Sequence, residues 1–400
     1  MNPVSRKAPT HPNAEAQRRL AYFNERRDAI VSTIRELVEI ESPSDNKAAV
    51  DRMAEAVAQK FSQLGGNVKV KFKVRVHPAK DRGNHLQVDF PGKSAAKPVL
   101  LLGHYDTVYP LGTLSAMPCR AVDNKLTGPG VLDMKSGIAL MLHALAALQD
   151  WHKAGLPRPV TVFLVSDEEV GSDSSRAITE ALAKKAAAVL VLEPAYGFQG
   201  AVKTARKGVG GYLVKVTGKA AHAGLDFQKG ANAILELARQ IEKISSFTEL
   251  KKGLTVNVGI VSGGSRTNVV PAEAEAQVDV RIARLKDAAG IDKQMRSLRP
   301  FNRKCKIEIT GGINRPPMER TAGVAALYAQ AAAIARELGW KLGEAAVGGG
   351  SDGNFTAALG IPTLDGLGGV GDGAHAPHEH ILISELPRRA ALIAGLIERA

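Results

Sequence analysis

Hydrophobic positions recur at three- and four-residue steps from Ala14 to Glu41, placing Leu20, Phe23, Ile30, Ile34, Leu37 and Val38 on one face of a predicted helix. Pro43 ends it, and a second helix is predicted from about Ala48 to Leu64, closed by Gly65 and Gly66. Alternating or continuous β-rich runs follow at Val68–Val76, Leu86–Phe90 and Val99–Leu102. An alanine-rich helix from about Lys135 to Leu148 precedes a strand at Val160–Val165, a helix at Ser174–Lys185 and a strand at Ala188–Leu192. Strands alternating with helices predict an α/β sheet, mostly parallel.

The pattern changes near Ala205. Gly210–Thr217 alternates as a strand, Asn232–Ile244 is helical, and Leu254–Val261 and Glu273–Ile282 read as strands. A helix near Asp287–Leu298 and a strand at Lys304–Ile309 complete the stretch. Strand, helix, strand, strand, helix, strand is the order of a ferredoxin-like α+β module. Helix–strand alternation resumes from Gly323 and closes with a helix at Leu386–Arg399. The predicted organisation is an α/β domain with a mostly parallel sheet over residues 1–204 and 317–400, interrupted by an inserted ferredoxin-like α+β domain over 205–316.

Composition narrows this little. Lys and Arg total 53 against 40 Asp and Glu, a formal net charge of +13, which raises nucleic acid, an anionic membrane or an anionic substrate. Aromatic residues at only 4% disfavour a base-stacking surface, and the basic residues form no single block. Cys119 and Cys305 are too few and too far apart for a disulfide framework or a thiolate zinc cluster. Met1–Arg19 lacks the apolar stretch of a secretory signal, and Gly137–Leu148 is shorter than the ~18 apolar residues of a membrane span. The expectation is a cytoplasmic protein with neither nucleic acid nor membrane as partner.

Chemistry concentrates at strand ends. Val99–Leu102 runs into His104 and Asp106, Val160–Val165 into Asp167, Glu168 and Glu169, and Ala188–Leu192 into Glu193, with Asp133 in the segment between the first two. Open α/β sheets bind ligands beyond the carboxyl ends of their strands. Several carboxylates converging there would repel one another, and a divalent cation of the zinc class removes that repulsion.

These motifs resemble the di-zinc M20 metallopeptidases: His104-x-Asp106-Thr107-Val108-x-Pro110, Gly130-x-x-Asp133-Met134-Lys135-x-Gly137 and Asp167-Glu168-Glu169-x-Gly171. Lys219–Gly224, containing His222, is similar to that family's lid histidine motif. Thr267–Pro271, Asp279–Arg281 and His375-Ala376-Pro377-His378-Glu379 also fall where the family has its motifs. The resemblance implies two Zn2+ per subunit, replaceable by Co2+ or Mn2+. His104 and Glu193 would hold one ion, Glu169 and His375 the other, and Asp133 would bridge them around a shared hydroxide nucleophile. It makes Glu168 the general base, Asp106 the partner that orients His104, and His222 the group that polarises the scissile carbonyl from the partner of a homodimer. The inserted domain would serve as lid and dimerisation domain to the catalytic one; Asn268 would contact substrate, Arg281 would either do so or form an ordinary ion pair at its strand end, and His378 and His380 are expected to face solvent.

The resemblance also narrows the substrate. Glu at 193 matches carboxypeptidases and deacylases, where aminopeptidases and many dipeptidases carry Asp. Gly312–Met318, with Arg315, is similar to the Arg-Pro segment of glutamate carboxypeptidases of the carboxypeptidase G type, and implies that Arg315 grips a substrate carboxylate. The Gly348–Asn354 loop, with Gly350 and Ser351, is like the same branch's Gly-rich loop beside an anionic substrate. The function implied is a zinc exopeptidase releasing a C-terminal residue, glutamate foremost, from a peptide or N-acyl amino acid. Met134 after Asp133 is shared with acetylornithine and succinyl-diaminopimelate deacylases, which form the alternative. A non-catalytic binding protein is disfavoured because every ligand and Glu168 are present.

Overall fold

A computed structural model describes residues 13–64, 72–153 and 155–400. The chain forms two compact units: one runs to Thr204 and resumes over Arg320–Ala346 and Ser351–Ala400, and the other comprises Ala205–Glu319 with Val347–Gly350. The second unit therefore extends past residue 316 and takes in a short piece of the returning chain.

In chain order the main elements are α1 (Ala14–Glu25), α2 (Arg27–Val38), α3 (Lys47–Leu64), β1 (Lys73–His77), β2 (His85–Phe90), β3 (Val99–His104), α4 (Ser136–Trp151), β4 (Val160–Val165), α5 (Arg176–Ala183) and β5 (Ala188–Val191). The second unit supplies β6 (Gly208–Thr217), α6 (Ala233–Ser245), β7 (Thr255–Gly263), β8 (Glu273–Ile282), α7 (Ala288–Arg296) and β9 (Lys306–Arg315). The first unit closes with α8 (Ala322–Glu337), β10 (Thr363–Leu364) and α9 (Leu386–Arg399). The single helix expected over Ala14–Glu41 is two helices, broken at Arg26 (φ −102°, ψ 8°). The expected stop at Gly65 and Gly66, and Val68–Lys71 of the first expected strand, lie outside the described residues.

The first unit's sheet has the order β1-β2-β4-β3-β5-β10. Strands β4, β3, β5 and β10 are parallel, and β1 and β2 add an antiparallel margin. Every residue of β3, β4 and β5 is buried, which accounts for their unbroken apolar runs: both faces of the sheet are covered. Val99, Leu101, Val162 and Leu190 join α2, α3, α4, α8 and α9 in one core, whereas Leu100, Leu102, Phe163, Val165 and Val189 pack with Ala183 and Ala186 on the other side. Val131–Trp151 is apolar and long enough to cross a membrane, but 83% of that window is buried in this core.

A small antiparallel sheet, not predicted from the sequence, joins Gly371–Asp372, His380–Leu382, Lys125–Thr127 and Arg120–Val122 in that order. It sets the loop carrying His375 beside the segment that leads to Asp133.

Behind the end of β5, the Arg389 side chain of α9 is fully buried and donates to the carbonyls of Gly200 and Gly368 (each 3.0 Å) and of Gly366. Gly200 and Gly366 adopt φ of 68° and 77°, which suits glycine. The Gly368 amide in turn donates to the Glu193 carbonyl (2.8 Å). Burial lowers the Arg389 pKa to about 9, so the guanidinium stays charged at neutral pH. Arg389→Met would strip these carbonyls of their donor at roughly 1–3 kcal/mol for each group left unsatisfied. A clear drop in the urea midpoint is expected, and an unchanged midpoint would contradict this role.

The second unit's sheet has the order β7-β8-β6-β9, antiparallel throughout, the arrangement of a ferredoxin-like fold. One face buries Tyr212, Val214, Val216, Ala276 and Val278 against Leu237 and Ile244 of α6 and Ile291 and Met295 of α7. Asn232 caps α6 through the Leu235 amide (2.9 Å). Strand β9 continues past the expected end at Ile309 to Arg315 because Gly311 (φ 97°) lets the strand pass close to the Gly211 carbonyl, where any Cβ would collide. At the base of the unit, Arg206 and Met318 exchange both backbone hydrogen bonds (2.9 and 3.0 Å), clasping the entry and exit of the chain.

Candidate metal centre

Three neighbouring parallel strands deliver the acidic and imidazole groups. His104 is the last residue of β3, Glu168 and Glu169 follow β4 in a single 3-10 turn, and Glu193 follows β5. Asp133 arrives from a loop that turns at Gly130 (φ 70°) and then enters α4, and the Asp133–Met134 peptide is cis. Glycine is required at Gly137, where a side chain would strike the Leu192 backbone carbonyl.

The cluster is tight. His104 Nε2 lies 3.1 Å from Asp133 Oδ1 and 3.5 Å from Glu193 Oε1, while His375 Nε2 lies 3.5 Å from Asp133 Oδ2 and 3.2 Å from Glu169 Oε1. Asp133 thus presents one oxygen to each imidazole. Ligand atoms of His104, Asp133 and Glu169, and those of His104, Glu168 and Glu193, lie within 4.8 Å of one another. His104 is buried, whereas His375, in a left-handed conformation (φ 63°), is about half exposed.

Asp106 organises this arrangement mainly through its backbone and a divided carboxylate. Its carbonyl accepts from His104 Nδ1 (3.0 Å), leaving Nε2 to face Asp133. Its carboxylate lies 3.4 Å from the same nitrogen, accepts from Ser44 Oγ (2.6 Å), and receives the Glu168 and Glu169 amides at 3.3 Å each. Ser44 carries no sequence signal beyond following Pro43.

The protonation equilibria reflect crowding of opposite charges. Burial works to lower the His104 pKa, but hydrogen bonds to Asp106, Asp133 and Glu193 prevail and hold it well above the usual imidazole value. Hydrogen bonds to Asp133 and Glu169 push His375 up to about 10 against the effect of burial. Burial pushes Asp133 upward, yet the two histidines hold it below the ordinary carboxylate range. Glu169 is raised, first by burial and then by the Asp133 charge, against the hydrogen bond from His375 that lowers it. Two imidazoles and several carboxylates aimed at common points form a donor set suited to a divalent zinc-class ion. Such an ion competes with protons for the same atoms, so its affinity rises with pH.

The profile of peptidase family M20/M25/M40 matches residues 100–399. The chain belongs to this family. It is 32% identical over 381 residues to carboxypeptidase G2 of Pseudomonas sp. strain RS-16, covering 92% of this chain and 88% of that protein. Among solved structures, the M20 metallo-carboxypeptidase Sso-CP2 of Sulfolobus solfataricus superposes with a TM-score of 0.71 at 18% identity, over 92% of this chain and 98% of that one. A dinuclear metal-binding M20 peptidase of Bacillus subtilis gives 0.67 at 14% identity, over 94% and 98%. This M20 protein is therefore a hydrolase of the metallopeptidase class with carboxypeptidases among its relatives.

The remaining predicted site residues of this M20 chain divide between the units. In the second, His222 and Asn268 adjoin: the Ala223 amide donates to the Asn268 carbonyl (2.9 Å). His222 is exposed, and its Nδ1 accepts from the Gly224 and Leu225 amides (3.1 and 3.2 Å), which places the ring proton on Nε2. Arg315, at the end of β9, is buried. The Arg281 guanidinium pairs with both oxygens of Asp279 (2.9–3.1 Å), two residues away on the same strand, which is the ordinary ion pair the sequence left open beside a substrate contact. The Gly350 carbonyl accepts from buried Arg206 (3.0 Å), as does that of Gly349 (3.2 Å), a brace the sequence did not signal. In the first unit, Ser351 is fully buried and its hydroxyl donates to Asp365 (2.6 Å), so it supports the loop from within. His378 is exposed as expected, but His380 is buried in the small sheet with the Phe198 ring beside it.

Proposed function

We propose that the protein is a two-zinc exopeptidase that hydrolyses the amide bond to a C-terminal residue, with glutamate preferred, and that it works as a homodimer. The observation that carries this reading is the convergence of His104, Asp133, Glu168, Glu169, Glu193 and His375 beyond the ends of three adjacent parallel strands, in a chain of this family. In this assignment His104 and Glu193 would hold one ion and Glu169 and His375 the other, with Asp133 available to both. Two such ions, when bound, polarise the substrate carbonyl and bring the pKa of water toward neutrality.

The chain's own groups perform the proton transfers and the positioning. Glu168, whose backbone is held by Asp106, takes a proton from water as the water oxygen bonds to the carbonyl carbon. It returns that proton to the amine nitrogen as the C–N bond breaks. His222 donates Nε2–H to the carbonyl oxygen as negative charge develops there. Arg315 recognises the carboxylate of the leaving residue with a planar guanidinium, which suits the two oxygens better than a lysine would.

Met134, which follows Asp133 as in the acetylornithine and succinyl-diaminopimelate deacylases, supports an N-acyl-amino-acid deacylase as second reading; its sulfur accepts from the His104 amide (3.3 Å). One panel separates the two readings. Free amino acid should be released from N-acyl and peptidyl substrates ending in glutamate, and activity confined to acetylornithine and succinyl-diaminopimelate would sink the carboxypeptidase assignment. On the preferred substrate, Arg315→Ala should reduce kcat/KM by the equivalent of about 2–5 kcal/mol. An unchanged kcat/KM would remove Arg315 from recognition.

A further inference from the structure

Glu379 closes the final metal-ligand motif, yet no step above uses it. Its side chain is fully buried. One carboxylate oxygen accepts from the Leu132 and Asp133 amides (2.7 and 2.9 Å), and the other accepts from the Gly130 amide (3.0 Å). The turn that carries it is closed by the Glu379 amide donating to the Ala376 carbonyl (3.0 Å), which also accepts from the Tyr109 hydroxyl (3.1 Å). Tyr109 belongs to the stretch that follows His104, so three ligand-bearing segments meet around one carboxylate. Hydrogen bonds from amides to a buried carboxylate are among the stronger ones available to a loop.

We infer that Glu379 is a positioning residue for the metal centre: it fixes the Gly130–Asp133 loop against the His375 segment so that the Asp133 carboxylate stands between His104 and His375. This rests on the two-metal reading of the cluster. The residue gripped through its amide is the same residue whose side chain lies 3.1 Å from one imidazole and 3.5 Å from the other. A displacement of the loop would therefore disturb both ion positions together. Glutamine keeps the shape of the side chain but has only one acceptor oxygen, and its amino group would confront backbone N–H donors.

The test is divalent-ion affinity, measured by competition of Zn2+ and Co2+ with a chelating dye in the full-length metal-free protein. Glu379→Gln should weaken the binding of both ions about 10–100-fold and shift the visible ligand-field bands of the Co2+ form. Wild-type affinities and bands in a folded variant would overturn the inference. If the variant does not fold, amide hydrogen exchange in the wild-type metal-free protein decides. Gly130, Leu132 and Asp133 should be protected, and exchange at open-chain rates would overturn the proposal. Wild-type protein that binds no divalent ion would remove the two-metal reading itself. Two ions bound equally by wild type and variant would remove only the role of Glu379.

Discussion

Glu168→Gln is expected to lower kcat by about 10²–10⁴-fold while leaving two divalent ions bound and the fold intact. The substitution is nearly isosteric, and the backbone of residue 168 stays anchored because its amide donates to Asp106 (3.3 Å). What disappears is the ability to accept a proton from water and pass it to the leaving amine, since an amide is a very weak base. KM should change far less than kcat, because the loss falls on the transition state rather than on ground-state binding. Steady-state kinetics combined with metal analysis of the same preparation provide the check. A variant retaining kcat within tenfold of wild type would assign the base elsewhere, and one that lost metal would make Glu168 a ligand.

The second large effect belongs to Asp133. Its two oxygens face different imidazoles, Oδ1 toward His104 and Oδ2 toward His375, so no other carboxylate can replace it without moving the loop. Asp133→Ala should reduce metal content from two ions per chain to below one and bring hydrolysis below detection. The local backbone should persist, because the amide of residue 133 remains available to Glu379. Metal analysis after gel filtration, alongside circular dichroism, separates loss of the centre from loss of the fold. Full metal content in the variant would exclude a bridging carboxylate at this position.

Much of this site could be read from the sequence because its groups lie at the ends of unmistakable strands. Val160–Val165 is apolar at nearly every position since both sheet faces are covered, and the acidic run after it then has one direction in which to emerge. The helix break at Arg26 was hidden for a related reason: α1 and α2 both bury residues at helical spacing, so the periodicity runs through the junction. Strands of two and three residues, such as Gly371–Asp372 and His380–Leu382, are too short to show an alternating pattern. Their pairing is a tertiary event, and it is what buries His380. Arg281 and Ser351 illustrate a different limit. Residue type indicates what a side chain can bind, but only the fold reveals that the guanidinium pairs with Asp279 and the hydroxyl donates to Asp365. Glu379 stood in view within the final motif, but its role depends on amides roughly 250 positions earlier in the chain.

The clasp between Arg206 and Met318 carries an evolutionary consequence. Paired residues on antiparallel neighbours lie only about 5 Å apart, so a module entering and leaving through such a pair has its ends already joined. A host chain can accept it by opening a single connection, with little additional entropy lost in closing the break. Residues Ala205–Glu319 are thus built like a cassette, one that also takes up Val347–Gly350 from the returning chain. In the proposed assignment, which gives Arg315 and His222 to the substrate and the strand ends to the metal, recognition and hydrolysis can in this way diverge at different rates within one polypeptide.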